Sequence, residues 1–248
     1  MGVEVFDDFY IVYQPIFFAL TGGVLGHEAF LRHPSGAGPV EILAAARGQG
    51  ALPAWECRIL ERVLDEISRG PRPGGLLFLN LTPEAFGDRG FPEMLARMLA
   101  GAGLEPGEVV VEATDAGAIG PEGFERALEG WLSAGFYTAL DDFGSGGVDF
   151  RFLAGGIRPD YVKVDMSLVK GCSLDRLKGA SLADLVSRLM SLGASVVLEG
   201  VETAEDLCWI TGQGWDVMLQ GFALAVPGRH SEVFSPAGNP RVVREVQR

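Results

Sequence analysis

Histidine and cysteine are scarce in this sequence, with three of each among 248 residues. Cys57, Cys172 and Cys208 are odd in number and widely spaced, matching neither a disulfide framework nor a zinc site, so reduced structural thiols are expected. His27, His33 and His230 have no ligand spacing; His27 reads as a side chain that orients near its neighbour Glu28. Basic residues are also outnumbered, 20 Lys and Arg against 33 Asp and Glu. The resulting net charge of −13 argues against a nucleic-acid polymer as partner, although metal ions can supply a local positive field for an anionic substrate. No apolar run approaches the roughly eighteen residues of a membrane span. The start, Met1-Gly2-Val3-Glu4, lacks the basic flank of a signal peptide, and Phe6 stands where a myristoylation motif wants Ser or Thr. A cytoplasmic location is expected.

What the sequence does have is 48% hydrophobic residues with 21% charged, the composition of a globular chain. Tyr10 to Phe17 reads as a strand interrupted by Pro15, and Val24 to Arg32 as the next strand. Val40–Arg47 and Ala54–Ile67 read as helices, the second with Ile59, Leu60, Val63, Leu64 and Ile67 on one face. Short apolar strands then alternate with helices. Strands are expected over Leu76–Asn80, Val109–Glu112, Tyr137–Phe143, Tyr161–Asp165, Ser195–Glu199 and Val217–Gln220. Helices fall at Phe91–Leu99, Pro121–Leu132, Ser181–Leu192 and Thr203–Thr211. Apolar strands alternating with helices indicate a parallel sheet covered on both faces. Eight such strands without a break in composition predict one α/β barrel domain over residues 1–235, with 236–248 a C-terminal tail.

In such barrels the functional side chains sit at the C-terminal ends of the strands. Glu28, Asn80, Glu112, Asp141, Asp142, Lys163, Glu199 and Gln220 all fall at or near those ends. The strand over 137–143 ends in two adjacent carboxylates, Asp141 and Asp142, then breaks at Gly144-Ser145-Gly146-Gly147. Neighbouring carboxylates repel unless a cation lies between them, and hard divalent cations prefer oxygen ligands. An isolated pair reads as a surface turn; a ring of acids at one rim reads as a one- or two-metal site. Lys163 has two readings, a buried ion pair with Asp165, on the same strand face, or with another acid, or a group that holds or helps deprotonate a metal-bound water.

These residues, in order, resemble the EAL-domain phosphodiesterases of bacterial cyclic di-GMP signalling. Tyr13-Gln14-Pro15-Ile16 looks like the family's opening strand. Glu28-Ala29-Phe30-Leu31-Arg32 is similar to its signature, with Phe30 for the usual leucine. Asn80-Leu81-Thr82-Pro83, Glu112-Ala113-Thr114-Asp115, Asp141-Asp142-Phe143-Gly144, Lys163-Val164-Asp165, Glu199-Gly200-Val201-Glu202 and Gln220-Gly221-Phe222 complete the set. The resemblance implies a modified triose-phosphate-isomerase-type (β/α)8 barrel with one antiparallel strand, and Mg²⁺- or Mn²⁺-dependent hydrolysis of cyclic di-GMP to linear pGpG. It implies that Glu28, Asn80, Glu112, Asp141 and Asp142 are metal ligands. By the same carry-over Lys163 and Glu199 engage the metals or the attacking water, Glu202 and Gln220 complete the pocket, Arg32 contacts a phosphate, and Asp165 joins the substrate-binding set. A homodimer through the barrel's side is likewise implied. At this length there is no room for an attached sensor domain, so the chain is expected to act alone, to answer to a separate regulatory protein, or to be part of a longer one.

Two departures bear on activity. Where the family often reads Gly-Thr-Gly-Tyr-Ser-Ser, this loop is Gly144-Ser145-Gly146-Gly147-Val148-Asp149, without the bulky anchor; the acid that steadies it in the family is here the shorter Asp115. A looser loop is expected to slow turnover, and a tyrosine at 147 to restore it. After the first helix, Gln49-Gly50-Ala51-Leu52 lacks the usual Glu-Thr-Gly. The rival reading is a catalytically weak barrel acting as a cyclic di-GMP receptor. A barrel glycosidase would want aromatic platforms near the strand ends, whereas Trp55, Trp131 and Trp209 fall in helical segments.

Overall fold

The computed structural model describes residues 8–234. Eight strands close into a barrel in chain order: β1 (Tyr10–Phe18), β2 (Val24–Arg32), β3 (Leu76–Leu81), β4 (Val109–Ala113), β5 (Tyr137–Phe143), β6 (Tyr161–Val164), β7 (Ser195–Leu198) and β8 (Met218–Leu219). β1 runs antiparallel to both neighbours, β2 and β8, while every other pairing is parallel. Pro15 does not interrupt β1, since it pairs with His27 inside the β1–β2 ladder. β8 reaches only Phe17 and Phe18. Pro15 thus lies where β1 has a partner on one side alone, and its missing N–H is tolerated.

The outer layer contains α1 (Pro39–Gly48), α2 (Leu52–Arg69), α3 (Pro83–Gly87), α4 (Phe91–Gly101), α5 (Gly120–Ser133), α6 (Met166–Val169), α7 (Arg176–Ser191), α8 (Ala204–Gly212) and α9 (His230–Val233). Prolines 39 and 83 open α1 and α3, where the missing N–H has no intrahelical role. The larger core lies between strands and helices: α5 buries Phe124, Leu128 and Trp131, and the Trp131 indole N–H donates to the Phe86 carbonyl at 2.9 Å. The expected tail, 236–248, lies outside the described residues. No helix among the described residues is long and apolar enough to cross a membrane.

Strand alternation divides the barrel's interior into two levels. Ile16, Phe78, Val110, Ala139, Val197 and Met218 form a separate buried cluster that plugs the barrel. Two residues further along each of these strands toward one mouth stand Gln14, Asn80, Glu112, Asp141, Glu199 and Gln220. Successive side chains on a strand alternate faces, so residues two apart share one. The apolar plug therefore dictates that these polar side chains also point inward. Because β1 runs the other way, its contribution, Gln14, precedes the plug residue Ile16 in sequence.

Candidate active site

Lys163 sits at the centre of the polar level. Its Nζ lies 2.6 Å from Glu112 Oε2, 2.7 Å from Glu199 Oε1, 3.0 Å from Glu28 Oε2 and 3.3 Å from Asp141 Oδ1. Lys163 is 1% exposed and Glu112 fully buried. One cation faces four carboxylates contributed by β2, β4, β5 and the end of β7. Amides complete the set. Gln220 Nε2 donates to Glu28 Oε2 at 3.0 Å and Asn80 Nδ2 to Glu28 Oε1 at 2.7 Å, while the Thr114 hydroxyl donates to Asn80 Oδ1 at 3.0 Å. Thr114 was quoted in the sequence only as part of Glu112-Ala113-Thr114-Asp115, without a role; its bond to Asn80 supplies one.

Charge crowding sets the titration. Burial pulls the Lys163 ammonium down, but Asp141, Glu112, Glu199 and Glu28 override it and hold it well above the ordinary lysine value. Burial and the Glu28 charge push the Glu112 carboxyl well up against the pull of Lys163. Burial takes Glu199 up to about 8, again against Lys163. Asp142 rises to about 6 through burial, then the charges of Asp141 and Asp165. Asp142 also adopts φ +54°, a left-handed backbone that costs a non-glycine residue about 1–3 kcal/mol and persists where the surroundings impose it.

The donor set fits a divalent cation. Oxygens of Asp141, Asp142 and Glu199 lie within 4.8 Å of one another. Glu112 Oε1 is buried without a hydrogen-bond partner among the described residues, and Asp141 Oδ1 has no hydrogen bond there beyond its 3.3 Å ion pair with Lys163. Unsatisfied buried carboxylate oxygens are costly, and hard cations coordinated by oxygen are what satisfies them. The cluster opens into a cavity of about 470 Å³. Its lining includes Glu28, Asn80, Asp141, Asp142, Lys163 and Glu199 together with Val40, Leu43, Ile59 and Leu60 of α1 and α2.

The remaining residues singled out in the sequence are placed as follows. Asp165 does not pair with Lys163: β6 ends at Val164, and Asp165 caps α6, accepting the Ser167 N–H at 2.8 Å, while its carboxylate lies beside Asp142. Glu202 stands apart from the carboxylate level, in an ion pair with Lys170 at 2.5 Å. The Arg32 guanidinium lies 5.1 Å from the Phe30 ring centroid and donates to the Leu31 carbonyl at 2.9 Å. His27, on the opposite strand face from Glu28, packs its ring against Phe234 and does not orient the carboxylate. Asp115, at φ +52°, starts the 3-10 turn Ala116–Ala118. That turn touches the glycine loop: a Cβ on Gly117 would lie 2.5 Å from the Gly146 carbonyl oxygen. Gly144 (φ +98°) and Gly146 (φ +56°) make the loop's reversal, which is closed by the Gly144 N–H donating to the Val148 carbonyl at 2.9 Å. The three cysteines are free.

Residues 6–227 match the family model described as "EAL domain". The cyclic di-GMP phosphodiesterase PdeL of Escherichia coli K12 is 28% identical over 222 residues, covering 86% of this chain and 61% of PdeL. A complex of Klebsiella pneumoniae BlrP1 with calcium and cyclic di-GMP superposes with a TM-score of 0.78 at 30% identity, covering 89% of this chain and 56% of that one. The PaMucR phosphodiesterase in complex with c-di-GMP gives a TM-score of 0.79 at 25% identity, covering 91% and 94%. The chain spans about half the length of the curated relatives it matches.

Proposed function

This chain belongs to the EAL domain family, and on that premise we propose that it is a phosphodiesterase hydrolysing cyclic di-GMP to linear pGpG with Mg²⁺ or Mn²⁺. The observation that carries the reading is the convergence of Glu28, Glu112, Asp141 and Glu199 on Lys163 at the mouth of the cavity. It is supported by the names of the relatives, PdeL being a cyclic di-GMP phosphodiesterase and BlrP1 binding the dinucleotide with calcium or manganese.

In this reading Glu28, Asn80, Glu112, Asp141 and Asp142 would hold the cation or cations. The bound ions would supply Lewis acidity, lowering the pKa of water and neutralising phosphoryl oxygens. The protein's own groups do the rest. Lys163 and Glu199, 2.7 Å apart, hold and orient protons beside the reacting phosphate. Gln220 fixes Glu28 through its amide, and Asn80 fixes the other oxygen of the same carboxylate. Val40, Leu43, Ile59 and Leu60 of α1 and α2 give the same cavity apolar lining. Arg32 would swing from Phe30 to a phosphate, where a guanidinium fork matches the oxygens. Asp165 would bear on the site through Asp142, beside which it lies, and Glu202 would complete the pocket from its pair with Lys170. A cytoplasmic site of action, a homodimer and input from a separate regulatory protein belong to the same proposal.

The test is incubation of purified protein with cyclic di-GMP and Mg²⁺ or Mn²⁺. Linear pGpG is expected, with turnover lowered in Asp141→Asn by more than about 100-fold, the upper range for losing even an outer partner of a metal ligand. Binding of the dinucleotide without pGpG formation would contradict the enzyme and favour a receptor.

A further inference from the structure

Glu56 is a carboxylate on the apolar face of α2, 4% exposed, beside Trp55, Leu60 and Val63. Its Oε1 accepts the Thr82 backbone N–H at 2.9 Å, and its Oε2 has no hydrogen-bond partner among the described residues. Burial pushes the carboxyl up to about 7, so the group is held there at a cost to stability. Leucine or methionine would fill the same space without burying an unpaired polar atom. Packing therefore does not account for Glu56, and its bond to Thr82 does.

Thr82 marks the place where the sheet runs out of partners. The β3–β4 ladder ends with Leu81 opposite Ala113, and the Thr114 N–H takes the Leu81 carbonyl. The Thr82 N–H is the next amide along, and Glu56 accepts it from outside the barrel. Thr82 then caps α3 by accepting the Ala85 N–H at 3.3 Å, and Pro83 begins the helix. Asn80 stands two residues before Thr82, its side chain held between Glu28 and Thr114.

We propose that Glu56 is a positioning residue: by holding the Thr82 amide it fixes the C-terminal end of β3 and so aims Asn80 at the cation site. This rests on the reading of Asn80 as a cation ligand. The dependence is one step removed from the metal, so the expected effect lies at the lower end of that seen for outer-shell partners, about 10-fold.

The experiment compares Glu56→Leu and Glu56→Gln with the unmodified chain, measuring Mn²⁺ affinity by calorimetric titration and kcat and KM for cyclic di-GMP. Glu56→Leu is expected to weaken Mn²⁺ binding about 10-fold and to lower kcat similarly, with KM nearly unchanged. Glu56→Gln keeps an oxygen for the Thr82 amide and should restore both. If Glu56→Leu does not fold, Glu56→Asp, whose shorter side chain withdraws the acceptor, should show the same loss of Mn²⁺ affinity. A Leu or Asp variant with full Mn²⁺ affinity, however far its melting temperature falls, would overturn the inference, as would a Gln variant no better than Leu. Unmodified protein that binds no Mn²⁺ would instead overturn the cation reading itself, and this inference with it.

Discussion

With Lys163 removed, Glu28, Glu112, Asp141 and Glu199 would face one another in the barrel mouth with no cation between them. Deleting one partner of a buried ion cluster costs about 3–5 kcal/mol because the remaining charge is left uncompensated. Lys163→Met should therefore melt well below the unmodified chain in chelator, and Mg²⁺ or Mn²⁺ should recover most of the difference. Equal melting temperatures in chelator would show that Lys163 does not neutralise the cluster. The titration has a definite sign as well. Glu199, raised from an ordinary carboxyl value of 4.5 to about 8, contributes stability that is present below 4.5 and lost as pH rises through about 8. Glu112 is raised in the same direction. Metal-free protein should therefore lose stability from pH 5 to 8, while Mn²⁺ affinity rises over the same range because the ion replaces protons. Calorimetric titration at several pH values checks this, and an affinity independent of pH would contradict it. Glu112, Asp141 and Glu199 were legible in the sequence because each ends an apolar run, whereas Glu28 lies in the middle of β2 and was picked out by the motif around it. A buried ion pair for Lys163 was legible too, but Asp165 is not its partner, because alternation of faces holds only while the strand continues. β6 stops at Val164, so Asp165 escapes the face it would share with Lys163.

Among the elements, the loop after β5 corrects the expectation drawn from its missing anchor. Gly147 has φ +85°, a conformation that a tyrosine adopts only under strain. Gly147→Tyr should thus lower activity, the reverse of what the sequence suggests. The loop is braced instead by its own turn, by buried Val148, and by the close approach of Gly117 to the Gly146 carbonyl. Gly117→Ala would place a methyl 2.5 Å from that oxygen and displace the segment that follows Asp142. Reduced turnover is expected with the melting temperature altered by only a few degrees, and full turnover would show that the loop does not position Asp142. Long helices with an apolar stripe, such as α2 and α5, were readable from periodicity. The four- and five-residue helices α3, α6 and α9 were not, since one turn carries no period to read. Glu56 escaped for a related reason: a lone acid on an amphipathic helix reads as solvent-facing until Thr82 is seen against it.

At the level of the whole molecule, closure of the barrel turns eight unremarkable strand ends into one site. Residues from Gln14 to Gln220 meet because an apolar plug below forces the polar residues above it to share one interior. That much could be inferred from strand count and the position of each acid. The stagger between strands could not, so Glu28 rather than another acid receiving both Asn80 and Gln220 is information held only in three dimensions. The account's central claim is that this polar level is a cation site. Anomalous diffraction from crystals grown with Mn²⁺ tests it most directly. The account predicts a peak within coordination distance of Asp141, among the oxygens of Glu28, Asn80, Glu112 and Asp142. Crystals saturated with Mn²⁺ that show density only elsewhere, with Lys163 still bonded to all four carboxylates, would contradict it.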